Sequence, residues 1–528
     1  MDFNIFLRSL VLSCVPLTVL GDTVTYNFSE VLPKKQCAKN VLFIAVDDLK
    51  PLLGCYGDKY AKTPVIDELA NQGSVFLASY CQQALSGPSR ASLLTGMCPD
   101  RTEVWDLKTL IRDVHPDVVT LPQYFKQNGY QVVGYGKIFD LRSVDKNKDE
   151  KSWSLPFTPE NQYINRNYET PFLYFYQDPR LRKIADQIAK DGLARGESEI
   201  EIKKRISAKC QMSTECLDIP DDAYQDGSIK NGAVDFLERY DGKTPFFLAV
   251  GFKRPHLPFN APKKYWDLYT REDLPLAPFR HRAKNTRSFV YHNSGELQIY
   301  SDIPDLYQFS DIDNTVLPEN KQRELIHGYY ACISYIDKQI GDIINVLKEK
   351  KLDKNTIIIL WGDHGWHLGD HGLWCKHSNF EQATKAPMII VDPLGKTGNR
   401  VDVPVEFLDI YPTLCDLAGL KKPNGLDGKS LAKIIMEKVD STNLYNYAVS
   451  QYPRGKIMGY SLRSKRYRYT VWVEWINRKI DANKIVYEEL YDYEKDPHET
   501  INVIDSNEYV PALKVMRTYW EDYKKRRL

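Results

Sequence analysis

Four apolar runs, each closing on charged or imidazole-bearing residues, constrain the fold of this chain more than any other feature. Val41-Leu42-Phe43-Ile44-Ala45-Val46 ends in Asp47-Asp48, and Gln131-Val132-Val133-Gly134-Tyr135 ends in Gly136-Lys137. Phe246-Phe247-Leu248-Ala249-Val250 is followed by Lys253-Arg254-Pro255-His256, and Thr356-Ile357-Ile358-Ile359-Leu360-Trp361 by Gly362-Asp363-His364-Gly365. A short unbroken apolar run between polar residues reads as a strand buried on both faces, as in a parallel sheet covered by helices. Ligands of open α/β sheets bind beyond the carboxyl ends of such strands. Taken singly, each group has a bland reading: Asp47-Asp48 as a turn, Asp363-His364-Gly365 as a helix cap, His256 as a loop histidine, Lys137 as a solvated lysine. One shared site at the carboxyl edge accounts for all of them.

Ser86-Gly87-Pro88-Ser89-Arg90, continued by Ala91-Ser92-Leu93-Leu94-Thr95-Gly96, adds a helix to that edge. Pro88 has no N–H to lose and a fixed φ, so it suits a first helical turn. The segment reads as a helix through Leu94 with Ser86 just before its N-terminus. Free N–H groups and the positive dipole end favour an anion there. Arg90, one turn in, offers a planar fork to an oxyanion. By itself the pentapeptide also fits an ordinary capped helix. Asp47, Asp48, Asp363 and His364 supply three carboxylates and one imidazole. Such an oxygen-rich set suits Ca²⁺ or Mg²⁺, and the imidazole admits Zn²⁺ or Mn²⁺.

With these motifs assembled, the chain resembles the sulfatase family of the alkaline phosphatase superfamily, and within it the iduronate 2-sulfatase group. The likeness runs from Asn40 to Asn502. It includes Leu53-Gly54-Cys55-Tyr56-Gly57-Asp58, Gln82-Gln83-Ala84, Gly251 through Pro258, Asp363-His364-Gly365-Trp366, Lys376 with Ser378-Asn379-Phe380, and Tyr467-Arg468-Tyr469-Thr470-Val471-Trp472-Val473. The resemblance implies an α/β sandwich with a large, mostly parallel central sheet flanked by helices, plus a smaller C-terminal α+β subdomain with a short antiparallel sheet. It implies a sulfuric ester hydrolase acting on sulfated glycosaminoglycan (heparan or dermatan sulfate) ends or small sulfate esters. By position, Asp47, Asp48, Asp363 and His364 become Ca²⁺ ligands, with Mg²⁺ or Zn²⁺ as second choices, and the Ser86 side chain completes the shell. Arg90 holds the nucleophile, Lys137 and Lys376 bind sulfate oxygens, and His256 protonates or orients the leaving oxygen.

Two departures from that pattern matter, at Ser86 and Asp140. Ser86 stands where animal members carry Cys, the precursor of a formylglycine whose hydrate attacks sulfur. Its remaining hydroxyl then expels sulfate. Cys81 and Cys98 do not replace it, because neither has Pro and Arg at the required offsets. Formylglycine at Ser86 requires a serine-converting enzyme. An unmodified serine can attack with help from a metal, but leaves a sulfated serine with no second hydroxyl. Asp140 falls where the resembling enzymes have an active-site His, and a carboxylate there repels sulfate unless it is protonated or turned away. Arg254 replaces Lys, a milder change. Two further readings therefore stand beside the hydrolase: a weak or inactive homologue that binds sulfated glycans, and a metal-dependent serine phosphoesterase.

The remaining residues set the context. The chain has 528 residues, with 71 basic and 70 acidic side chains, net charge +1. That balance gives no reason to expect nucleic acid or a membrane surface as partner, so local cations must bind the anion. Residues 1–21 read as a secretory signal, with Arg8 ahead of the run Ser9 to Leu20, too short for a membrane span. Asn27-Phe28-Ser29 is a glycosylation sequon. Together these place the protein in the secretory pathway, lysosomal or extracellular. The expected organisation is signal peptide 1–21, catalytic domain 22–440 and C-terminal subdomain 441–528. Of ten Cys, Cys14 lies in the signal and Cys210–Cys216 is the best candidate disulfide. Residues 180–207 read as an amphipathic helical insertion, and Asp226 as the cap of a helix through Arg239. Residues 280–310 read as a loop over the site, and 421–428 as a loop. Strands are expected over Tyr467–Trp475 and Val486–Tyr493, then a helix over Val510–Tyr523.

Overall fold

The computed structural model describes residues 38–162, 176–304, 317–437 and 446–528. The signal segment, the Asn27 sequon and the expected boundary at 440 lie outside them. Among the described residues eight strands form one central sheet. In chain order they are β1 (Asn40–Val46), β2 (Ser74–Phe76), β3 (Gln131–Gly136), β4 (Thr158–Pro159), β5 (Phe246–Phe252), β6 (Thr356–Gly362), β7 (Met388–Val391) and β8 (Asn399–Val401). Their spatial order is β8-β2-β7-β6-β1-β5-β3-β4. β6, β1, β5, β3 and β4 are parallel, whereas β7 runs antiparallel to β6 and β2. The four apolar runs are thus neighbours at the centre, and Val46 pairs with both Phe252 and Gly362, so their carboxyl ends share one edge.

Alternation along β1 shows why these strands are apolar throughout. Leu42, Ile44 and Val46 face a core that includes the helices Gln225–Arg239 and Glu319–Glu349. Val41, Phe43 and Ala45 face the opposite core, with Ala91 and Leu94 of the helix Ser86–Thr95 and Leu414 of Ile410–Leu417. Both faces are covered, so neither tolerates polar residues. Two glycines let β3 and β5 end in close contact. A Cβ on Gly251 would lie 2.1 Å from the Lys137 carbonyl oxygen, and one on Gly136, at φ +79°, would lie 2.0 Å from the Gly251 oxygen. Gly251→Ala is therefore expected to cost about 3 kcal/mol, the upper end for overpacking, and to shift the Lys137 backbone. Urea denaturation checks the first effect and sulfate-ester turnover the second.

The C-terminal sheet is a four-stranded antiparallel meander, β9 (Ala448–Arg454), β10 (Ile457–Arg463), β11 (Tyr467–Ile476) and β12 (Lys479–Asp492). The helix Val510–Arg527 buries Leu513, Met516, Trp520 and Tyr523 in its core. The sheet abuts the chain leading to Ser86: Gln451 N–H donates to the Gln82 carbonyl at 2.7 Å, and Ser450 Oγ to that of Cys81 at 2.6 Å.

Several expectations need correction. Ser86 is the first residue of its helix rather than the one before it. The insertion is two helices, Pro179–Ala194 and Glu199–Cys210, separated by Gly196 at φ +70° and restarted by a Ser198–Glu201 capping box. Tyr224, not Asp226, precedes the helix Gln225–Arg239; the Asp226 carboxylate instead accepts from the Lys253 and Arg254 N–H groups. Cys210 and Cys216 are free thiols. Cys210 is buried among Ala185, Ile188, Ile202 and Ile206, while Cys216 is exposed on a short strand, so the two point apart. Residues 421–428 carry no helix or strand, as expected.

Candidate active site

The carboxyl edge gathers every residue expected there. Asp47 leaves β1, and Asp48 follows at φ +57°, a conformation that Asp tolerates better than most side chains. This turn lets the Asp48 N–H reach Asp363 Oδ1 at 2.9 Å. Ser86, at the helix N-terminus, places Oγ 3.1 Å from Asp47 Oδ1 and 3.2 Å from His364 Nε2. Arg90 is wholly buried and spans the cluster. Its Nε donates to Asp363 Oδ2 at 2.9 Å, one Nη to Asp47 Oδ1 at 3.2 Å, and the other to the carbonyls of Lys137 and Ile138. Lys137 Nζ lies 2.6 Å from Asp47 Oδ2, and Lys376 Nζ 3.0 Å from Asp48 Oδ2. His256 Nε2 lies 3.8 Å from Asp48 Oδ2.

The electrostatics separate the two adjacent aspartates. Burial pushes the Asp47 carboxyl up, but Lys137, Lys253, His256 and Arg90 together hold it well below the usual carboxylate range. Asp48 goes the other way: burial, with Asp47, Glu296 and Asp363 nearby, outweighs Lys376 and pushes it up. Asp48 thus sits where more positive charge is favourable. Its oxygens belong to both ligand groups that could hold an ion, Asp47-Asp48-His256 and Asp48-Asp363-His364, each with ligand atoms within 4.8 Å of one another. His364 Nδ1 lies 3.0 Å from the Gly365 carbonyl oxygen, so that nitrogen carries the proton and Nε2 keeps its lone pair toward the cluster. Burial lowers the His364 pKa, which keeps the ring neutral. The donor set fits a hard divalent cation.

Asp140 is paired with a neighbour at the edge of the site. Its carboxylate makes two 2.8 Å contacts with Arg142 and lies 3.8 Å from Lys137. Burial opposes ionisation, but these cations hold Asp140 below the ordinary range. It is therefore ionised and already paired. Its stabilising contribution is present above the unfolded pKa of about 3.9 and is lost as pH falls below that value toward the folded pKa. Asp140→Asn should lose stability less steeply than the parent between pH 5 and pH 3, as thermal melts at both pH values will show.

Two groups in the site escaped the sequence reading. Glu296 sits on a short helix, Gly295–Gln298, within the loop expected to cover the site. Its Oε1 lies 2.8 Å from Lys376 Nζ and 3.1 Å from His256 Nε2. Lys253 Nζ lies 3.6 Å from Asp47 Oδ2. Lys253 stood in the run before His256 and could have been found. Glu296 had no local signal, since its loop lacks periodicity.

A sulfatase family profile matches residues 39–420, and one for the C-terminal part of N-sulphoglucosamine sulphohydrolase matches residues 369–526. The chain belongs to the sulfatase family, the sulfuric ester hydrolases. It is 31% identical over 543 residues to iduronate 2-sulfatase of Mus musculus, covering 91% of this chain and 93% of the relative. Against the Homo sapiens iduronate 2-sulfatase it is 31% identical over 562 residues, covering 94% and 96%. In fold it is similar to a solved 2-O GAG sulfatase, with a TM-score of 0.63 at 24% identity, covering 93% of this chain and 92% of that one. It is similar also to the phosphonate monoester hydrolase of Agrobacterium radiobacter, with a TM-score of 0.66 at 22% identity, covering 93% and 96%. No helix among the described residues is long and apolar enough to cross a membrane.

Proposed function

We propose that this sulfatase is of the iduronate 2-sulfatase type, removing sulfate from sulfated uronic acid at glycosaminoglycan ends. The observation that carries the reading is the Ser86 oxygen, 3.1 Å from Asp47 and 3.2 Å from His364, beneath a ring of buried cations. Asp47, Asp48, Asp363, His364 and the residue 86 side chain would hold Ca²⁺, which when bound supplies positive charge to a sulfate oxygen. Arg90 fixes Asp47 and Asp363 relative to residue 86. Lys137 and Lys376 exchange their carboxylate contacts for sulfate oxygens, and each begins within reach of the cluster. His256 Nδ1 lies 2.6 Å from the Leu257 carbonyl oxygen and so donates its proton there. The 3.1 Å contact of Nε2 with Glu296 is then a hydrogen bond only when it carries a second proton. Burial, with Lys253 and Lys376 nearby, lowers the His256 pKa to about 3, so the neutral ring would orient the leaving sugar oxygen and would protonate it only after taking up that second proton. In this reading residues 22–440 form the catalytic domain and 441–528 a subdomain that shapes the pocket, and the protein works in the lysosome or outside the cell.

Mass spectrometry of the peptide spanning residue 86, from the native source, tests the chemistry directly. The expected result is the aldehyde, with sulfate release from a 2-sulfated uronate in Ca²⁺. An alcohol at residue 86 together with no sulfate release would overturn the reading. Binding of sulfated sugar without turnover would instead identify a binding homologue.

A further inference from the structure

Arg454 ends β9, and its guanidinium sits where that strand meets the two loops carrying Glu296 and Lys376. Its Nε donates to the Phe289 carbonyl at 3.1 Å, one Nη to that of Pro453 at 3.1 Å, and the other Nη to that of His377. All three acceptors are backbone carbonyls, and among the described residues no carboxylate pairs with it. A guanidinium carries five N–H donors. The Tyr452 hydroxyl is a further hydrogen-bond neighbour, so at least one N–H is left to meet an outside carboxylate through a charge-assisted bond. The Tyr452 ring lies 4.6 Å from the guanidinium carbon and fixes its plane. Burial lowers the pKa of Arg454, as expected for a cation removed from water without an anion beside it. The pocket is close at hand. His377 follows Lys376 in the chain, and its Nε2 lies 3.9 Å from Glu296 Oε2.

We propose that Arg454 is a specificity-determining residue, binding the carboxylate of a sulfated uronic acid while Lys376 binds its sulfate. The inference rests on the sulfatase reading of the site. A uronate places a carboxylate across the sugar ring from a 2-sulfate, so one substrate can span both cations. A neutral sulfated sugar leaves the Arg454 fork without an anion. Arg454 also ties two rim loops together, and a purely structural role would make its loss indifferent to the substrate's carboxylate.

The test uses the full chain in Ca²⁺ and two ligands, a 2-sulfated uronate disaccharide and the same disaccharide with its carboxyl group reduced to an alcohol. Equilibrium binding is measured for both, alongside sulfate release from a neutral aryl sulfate. The parent protein should bind the carboxylate form on the order of 30-fold more tightly. Arg454→Gln should bring that ratio to within about 3-fold, and Arg454→Lys, a point charge without a fork, should recover part of it. Equal binding of the two ligands by the parent overturns the inference without recourse to any variant. An Arg454→Gln protein that weakens both ligands alike also overturns it, and no binding of either ligand overturns it together with the substrate assignment. No aryl sulfate release by the parent, with its binding ratio as expected, counts against the hydrolase reading alone, whereas an Arg454→Gln protein that keeps the parent's ratio overturns the inference.

Discussion

Arg90→Met should destabilise the protein by about 3–5 kcal/mol, the range for removing one partner from a buried ionic network. Arg90 and both of its carboxylate partners are wholly buried, so water cannot replace the lost donors. Asp47 keeps Lys137 at 2.6 Å and Lys253 at 3.6 Å. Asp363 loses its only Lys or Arg partner among the described residues and retains the Asp48 N–H at 2.9 Å. The carbonyls of Lys137 and Ile138 lose a donor as well. Met replaces the stem but none of these bonds. Arg90→Lys keeps the charge and forfeits the fork, so it should fall between Met and the parent. Urea midpoints at constant slope measure the series. A loss under about 1 kcal/mol for Met would show that the network does not hold the carboxylates in place.

What the sequence disclosed, it disclosed through burial. β1, β5 and β6 are buried along their whole length, so their apolar runs were unbroken and their polar terminal residues conspicuous. Asp47, Asp48, Lys137, Asp363 and His364 were legible because a central strand admits such groups only at its end. Pro88 marked the Ser86 helix for a different reason, its fixed φ. Glu296 had neither kind of signal. It enters the site from an aperiodic loop, and only the tertiary fold brings it to Lys376. β9 and β10 were likewise not resolved as separate strands, since Pro453, Arg454, Gly459 and Arg463 break their apolar pattern. The split of the insertion was readable after all: Gly196 followed by Ser198-Glu199-Ile200-Glu201 is a stop signal and a capping box in succession. The Cys210–Cys216 pairing failed because spacing cannot report which way two thiols point. Cys210 closes a helix inward, whereas Cys216 faces out from a strand.

Ser86→Ala should lower kcat for sulfate-ester hydrolysis by at least about 10³-fold, because it removes the oxygen on which either form of the nucleophile depends. The fold should survive it. The Ser86 side chain does not cap its helix, whose N-terminal flanking residue is Leu85, and its removal frees only single contacts to Asp47 and His364. A thermal melt close to that of the parent would therefore tie the activity loss to chemistry. Ser86→Cys, produced in a cell with the cysteine-converting enzyme, should release sulfate at or above the parent rate, since processing yields the aldehyde hydrate with its second hydroxyl. The pair of variants separates the three chemistries open to this site. Sulfate release surviving in Ser86→Ala would remove residue 86 from the mechanism. A Ser86→Cys protein far more active than its parent would mean that the native residue is an alcohol, halted after one transfer. Phosphate-ester turnover abolished in Ser86→Ala, with no sulfate release in any variant, would make the serine a phosphoesterase nucleophile, because a phosphorylated serine is released by attack of water at phosphorus and needs no second hydroxyl on residue 86.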